Sequence, residues 1–310
     1  MPRHGLNRGF SIVILSLLAH CCCNQAWAEG KVLRWKFQQG DQFHVVLTQS
    51  SVHETRVNNR PLKMTVEMTT ELDWRIEAVD EQGRGVMTQS FTRMALKMAS
   101  DQGQAFDFDS ASESKPRGLA QGVADRINPL IGLKIQLTMT DRGEIIDVRL
   151  DDKAQAVVDA AAKDAKFKDL FSKEGLTEML QRSAIVLPEK AIEVGDSWTS
   201  KTNSKSPVGV LDQTHEFTYE ATEEKDGRSL EKVSVQTTLD LREAKDDSER
   251  QLKLTDQSQT GDFYFDAETG DFVESTIKQK LASETPYRDL VIQASVDSSM
   301  KMTIERIKTP

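Results

Sequence analysis

Leu62–Val79 reads LKMTVEMTTELDWRIEAV, and its alternation decides what kind of protein this is. Every even position from Leu62 through Ala78 is apolar or a threonine, while every odd position from Lys63 to Glu77 is charged or a threonine. A two-residue period gathers the apolar groups on one face of an extended chain, giving a strand with a dry side and a wet side. The stretch is far longer than the usual ~5–6 residues of a strand, so its sheet must twist and curl into a barrel, a half-barrel or a trough.

The same period extends in both directions. Upstream, Leu33, Trp35 and Phe37 share a face, Gly40-Asp41 bends the chain, and Phe43, Val45 and Leu47 resume before a turn at Asn58-Asn59. Downstream, Asp80–Gly83 turns into Val86–Ala99, where Val86, Met94, Leu96 and Met98 are even, so Leu33–Ala99 reads as three or more antiparallel strands. Ala105–Asp109 is a short strand, and Leu119, Val123 and Ile127 fall at helical spacing. A hairpin follows, with Leu133, Ile135, Leu137 and Met139 returning as Ile146, Val148 and Leu150 around Asp141-Arg142-Gly143.

From Asp151 to Ser183 the period becomes helical. Asp151-Asp152 supply caps, Ala154, Val157, Val158 and Ala161 form a stripe, and Phe167, Leu170, Phe171, Leu176, Met179 and Leu180 follow. Strands resume after Pro188, with turns at Asp226-Gly227, Asp246-Asp247 and Asp266–Gly270. The last strand carries Leu290, Ile292, Ala294, Val296, Met300, Met302 and Ile304 on one face. Gly40-Asp41-Gln42-Phe43 and Gly195-Asp196-Ser197-Trp198 each open a set of strands, the mark of a weak internal repeat. The expected fold is mainly β, with long curved antiparallel strands in two duplicated lobes (residues 29–150 and 187–310) and a short helical insert between them (151–186). A single large barrel or curved sheet with helices on one face is the alternative.

Met1–Ala28 reads as an export signal, with Arg3 and Arg8 before the apolar run Phe10–Ala19 and small residues at Ala26 and Ala28. The rival reading is a lipoprotein anchor at Cys21–Cys23, which His20 disfavours because it stands where a small residue is required. Cleavage after Ala28 leaves 282 residues without cysteine, so disulfides, thiol nucleophiles and sulfur metal ligands are excluded from the mature chain. Its formal charge moves from −9 to −11 as two arginines leave, a balance unsuited to nucleic acid or anionic membrane surfaces. No later segment approaches ~18 consecutive apolar residues, so the mature chain is expected not to be transmembrane.

Signals of chemistry are thin. His44 and His53 fall on opposite strand faces and roughly 30 Å apart, which does not suit a shared metal, and His215 stands in register with Phe217 and Tyr219 as a histidine at a core edge. No HExxH, GxSxG, phosphate-loop or dinucleotide pattern is present. Glu67, Glu71, Asp73 and Glu77 lie on the wet face, and Asp107 and Asp109 are not followed by a calcium-loop glycine. No metal, cofactor or catalytic residue is therefore expected.

The suggestive set is Met64, Met68, Met94, Met98, Met300 and Met302, together with Trp74, all on the dry faces of three long strands. Methionine adapts to ligands of variable shape, so these faces are candidate walls of an apolar trough, although methionine also fills gaps in ordinary cores.

Leu33-Arg34-Trp35-Lys36-Phe37 with Gly40-Asp41, then Gly143-Glu144-Ile145-Ile146-Asp147-Val148, Leu187-Pro188-Glu189, Val194-Gly195-Asp196-Ser197-Trp198 and Phe272-Val273-Glu274-Ser275-Thr276 also stand in a recognisable order. In these motifs the chain resembles an exported bacterial family catalogued only as a domain of unknown function. The resemblance implies an envelope or secreted location and a β-rich fold. It brings no activity and no functional residues. The leading expectation is a non-enzymatic envelope protein that binds a lipid or a lipoprotein segment. The alternatives are a structural or protein-interaction module of the envelope, and a glycan hydrolase needing two carboxylates in one cleft.

Overall fold

The computed structural model describes residues 30–58, 60–161, 173–206, 209–243, 252–287 and 290–307. The leader with its cysteines, Asn59, the stretch holding Phe167, Leu170 and Phe171, and the Asp246-Asp247 turn lie outside the described residues. The strands are β1 (Gln42–Val57), β2 (Arg60–Val79), β3 (Gly85–Ser100), β4 (Ala105–Asp109), β5 (Lys134–Met139), β6 (Ile145–Leu150), β7 (Ser197–Ser206), β8 (Gly209–Lys225), β9 (Arg228–Glu243), β10 (Lys253–Asp266), β11 (Asp271–Tyr287) and β12 (Leu290–Ile307). The helices are α1 (Leu119–Ile127), α2 (Asp152–Ala161) and α3 (Lys173–Ser183).

All the strands join one antiparallel sheet in the order β6-β5-β3-β2-β1-β12-β11-β10-β9-β8-β7, with β4 on the part of β3 that β5 leaves free. The two expected sets of strands are halves of this sheet, joined by β1 and β12 from Gln42↔Ile307 to Arg56↔Gln293. The chain meanders from the centre out to β6, crosses through α2 and α3 to the opposite edge at β7, and meanders back.

Laid flat, the eleven strands along this path would span roughly 50 Å at ~4.8 Å spacing, yet α3, a cylinder of about 10–12 Å, packs against both β6 and β7. The sheet is therefore curled almost into a ring, with a helix in the gap instead of strand pairing. Leu176 of α3 is buried, and the Gln181 side chain donates to the Ile145 carbonyl of the β6 edge at 2.9 Å. The edge strand is thereby covered. Helix α2 begins as the sequence indicates, with Asp151 accepting from the Ala154 amide at 2.7 Å and Ala154 and Val158 buried. Helix α1 differs by one step of rotation, burying Ala120 and Ala124 while Leu119 is exposed.

One end of the ring is closed. Leu33, Trp35 and Phe37 form no strand of the sheet. They are an extended segment laid across the ends of several hairpins, with the Trp35 amide donating to Asp141 O and the Lys36 amide to Gly270 O. Trp35 stacks on Phe37 and Phe272 and meets Phe265 edge-on at centroid distances of 5.6, 6.3 and 6.1 Å. Burying each such side chain stabilises by about 1.5–3 kcal/mol against about 0.5–1.5 for a backbone hydrogen bond, so the side chains hold this plug in place. Arg34 donates to the carbonyls of Pro188 and Glu189, Trp198 Nε1 to that of Val186, and the Leu187 amide to Arg142 O. Gly143 (φ +91°) admits no side chain, since a Cβ there would fall on the Ile185 carbonyl oxygen. The motifs that carry the family resemblance thus meet at this closed end, where they act as packing.

The two Gly-Asp turns repeat each other bond for bond. The amides of Gly40 and Gly195 donate to Ile76 O and Tyr219 O, and the amides of those two residues donate back to Asp41 O and Asp196 O. The Asp41 and Asp196 carboxylates accept from the amides of Gln38 and Glu193 at 2.9 and 2.8 Å.

Bulges correct the sequence reading at several places. In β3 the register shifts opposite Glu71 and Leu72, so Met94, Leu96 and Met98 face inward but Val86 does not, and Met87 and Phe91 take the inward places. In β6 a shift beside Met139 makes Ile145 the buried residue and leaves Ile146 exposed. An extra residue moves the following side chains to the other face.

Candidate ligand-binding trough

Beyond the plug the long strands continue toward the end that carries Val57, Ser100 and Tyr287. Strand β5 pairs with β3 only from Gly85 to Ser90, so β5 and β6 stop short and leave this half of the ring open along one side. Register then shows which inward residues stand beside one another across the sheet. Nearest the core comes Met94–Thr70–Leu47–Met302–Ser275–Phe263–Val233–Tyr219. The next row is Phe108–Leu96–Met68–Gln49–Met300–Ile277–Gly261–Val235–Phe217–Trp198. Then come Met98–Val66–Ser51–Ser298–Gln279–Gln259–Thr237–His215 and, outermost, Met64–His53–Val296–Leu281–Gln257.

These four rows contain no Asp, Glu, Lys or Arg, in a chain of which 29% is charged. Chance does not empty a surface of that size of charge. The charges stand on the outer face, where Arg93 bridges Glu71 and Asp109 at 2.7 Å each, Glu274 lies between Lys225 and Lys301, and His44 meets Asp73 at 2.9 Å. Burial acts to raise the Glu274 carboxyl, but the hydrogen bonds from the two lysines hold it below its usual range.

All six methionines singled out from the sequence lie on this face and are half-buried. Register sets Met68 and Met300 on either side of Gln49, Met94 and Met302 on either side of Thr70 and Leu47, and Met98 and Met64 in the next two rows. Trp74 is elsewhere. It pairs with Phe43 and Gln89 at the closed end, packs against the core, and has a buried Nε1 without a hydrogen-bond partner among the described residues.

Sequence reasoning missed a polar belt in the third row. Gln279 Nε2 donates to Gln259 Oε1 at 2.9 Å, Gln259 Nε2 to Thr237 Oγ1 at 3.2 Å, and Thr237 lies 2.8 Å from His215 Nδ1. Ser51 and Ser298 continue the row, both buried, and Ser51 bonds His53 at 2.9 Å. The available signal was Ser298, the one interruption in the otherwise apolar even face from Leu290 to Ile304. His215 stacks obliquely near Phe217 (6.1 Å), and burial pushes its pKa down, so the ring is neutral at physiological pH. Its Nε2, like Thr202 Oγ1 on the neighbouring strand, is closed to solvent and has no partner among the described residues.

The belt also marks where the wall parts. The β9–β10 ladder ends at Thr237↔Gln259, although both strands run on, and the Gln257 side chain satisfies the Leu239 amide and carbonyl in its place. Between the parted strands lies a cleft of about 480 Å³ lined by Leu239, Leu241 and Leu254 together with the charged Asp240, Lys253 and Glu284, among others. Among the described residues no group of three or more His, Cys, Asp or Glu could hold a metal ion, and no helix is long and apolar enough to cross a membrane.

The model of a family of unknown function, DUF6263, matches residues 82–271. No curated protein matches the chain. Among solved structures the chain is similar to one entitled "Lipid-protein interactions in lipovitellin", at 14% identity and a TM-score of 0.47, over 88% of this chain and 26% of that one. The chain thus spans about a quarter of the lipovitellin chain it matches. It is also similar to a Bacteroides fragilis protein described as exported, with a YmcC-like fold (9% identity, TM-score 0.25, 89% and 99% of the two chains). An outer membrane channel from Pseudomonas putida matches at 8% identity and a TM-score of 0.23, over 90% and 98%. At these scores none of the three carries an argument about function.

Proposed function

The chain belongs to the DUF6263 family, whose function is unknown, and from its own residues we propose that it is a non-enzymatic, exported envelope protein that binds an apolar ligand, a lipid or the acylated segment of a lipoprotein, on the inner face of its curled sheet. The observation that carries this reading is the absence of charge from four consecutive inward rows whose methionines are half-buried rather than packed shut. A filled core would bury these side chains, and an ordinary wet surface would carry lysines and carboxylates. The export element rests on the leader. A carboxylate-based hydrolase finds no support on this face, because its acidic residues stand on the other.

The test is titration with N-phenyl-1-naphthylamine, a neutral probe that fluoresces in apolar surroundings. Saturable binding is expected, weakened at least ~10-fold by Met68→Asp or Met300→Asp, since each sets an unpaired charge among apolar neighbours. Glu67→Lys, on the outer face of the same strand, leaves it unchanged. Equal effects of the inner and outer substitutions would refute the trough.

A further inference from the structure

We propose that the polar belt is a subsite for a neutral carbonyl, so that the ligand is an ester- or amide-linked acyl chain rather than a hydrocarbon or a free carboxylate. This rests on the trough reading above and specifies its ligand. The direction of the belt's hydrogen bonds supplies the first part. Gln279 donates to Gln259 and Gln259 to Thr237, and in the tautomer taken for this proposal the Thr237 hydroxyl donates on to His215 Nδ1. With Nδ1 accepting, the ring proton sits on Nε2, which is a buried donor with no acceptor among the described residues. Thr202 Oγ1, a second buried group without a partner among the described residues, lies on β7, whose Ser200 pairs with His215 and whose Thr202 pairs with Gln213. A satisfied belt would end in a partner. This one ends in a donor and a hydroxyl that neighbouring side chains close to solvent; a ligand oxygen that displaces that cover can satisfy both, and unsatisfied buried groups carry a cost that such a ligand removes.

The surrounding chemistry supplies the second part. No cation stands in any of the four inward rows, so an ionised carboxylate or phosphate would enter without a counter-charge. A hydrocarbon would leave the belt unpaired. A carbonyl oxygen meets both conditions, and its attached chain has the methionine rows on one side of the belt and the Leu239–Leu254 cleft on the other. The binding of polar analogues is discriminated most strongly where a site presents buried hydrogen-bonding groups.

The experiment is displacement of N-phenyl-1-naphthylamine from the purified protein by methyl laurate, laurate and dodecane. Methyl laurate is expected to displace the probe at a concentration at least ~10-fold lower than either of the others. In His215→Phe, which keeps a ring but loses the donor, that advantage should collapse, whereas Glu67→Lys, on the outer face, should keep both probe binding and the advantage. Thr202→Val, at the sheet edge, is the second variant and should reduce the advantage in the same direction. Probe binding with no preference for the ester, a preference for laurate, or an unaltered preference in both variants overturns the subsite and leaves the trough standing. Failure of the wild-type protein to bind the probe at all overturns the trough and the subsite with it.

Discussion

At the level of single residues, the most heavily bonded buried carboxylate among the described residues is Glu231. Its side chain is nearly inaccessible and accepts from Lys31 Nζ and Tyr219 Oη at 2.5 Å each and from Thr222 at 2.8 Å. Lys31 lies just ahead of the plug, so this cluster fastens the start of the described chain to strands β8 and β9. The Tyr219 hydroxyl is raised by burial and then by its bond to Glu231; burial lowers Lys31, but the bond and charge of Glu231 outweigh it and raise that group too. Both folded values therefore exceed the unfolded ones of about 10.0 and 10.5, and the stability they contribute is complete below pH ~10 and lost as pH rises through the folded values. Glu231→Gln removes the main causes that raise Lys31 and one of the two main causes of the Tyr219 shift, leaving the burial of Tyr219 in place. It is expected to cost roughly 1–2 kcal/mol at neutral pH, discounted because Lys31 is partly exposed, and to flatten the fall of the melting temperature between pH 9 and 11. An unchanged alkaline slope would mean that this cluster does not set it.

The element scale shows where the amino-acid pattern speaks plainly and where it does not. Leu62–Val79 lies within β2, and its apolar face is the inward one from Leu62 to Ile76, because a period of two survives as long as the ladder is regular; the shift after Ile76 pairs Ala78 with the outward Val86. The pattern fails at bulges, which no residue type announces: Val86 and Ile146 were placed inward and stand outward because one extra residue intervenes in β3 and β6. Leu33, Trp35 and Phe37 alternate like a strand and are buried like one, but their partners are separate turns of the closed end, a distinction that alternation does not contain. The role of α3 was equally illegible, since its meeting with two edges depends on curvature. Leu176→Ala should lower stability by about 2–3 kcal/mol and uncover β6 and β7, giving concentration-dependent association measurable by light scattering. A variant that remains monomeric at every concentration would show that α3 is not the cover of these edges.

At the scale of the whole molecule, the sheet is a meander that almost closes, stoppered at one end by its own N-terminal segment and left open at the other where β5 and β6 stop. The methionines were visible in the sequence because each belongs to a regular face. The polar belt was not, because its members are single residues on several strands that only the register aligns. The family motifs locate the stopper, and the trough is defined by what is missing from it, namely charge. The most direct test of that account is native mass spectrometry of the protein isolated from the envelope of its host. The expected result is a population heavier than the polypeptide by one lipid-sized adduct, released by organic solvent and reduced in Met68→Asp. A protein that flies only at its polypeptide mass, with an extract free of lipid, would contradict it.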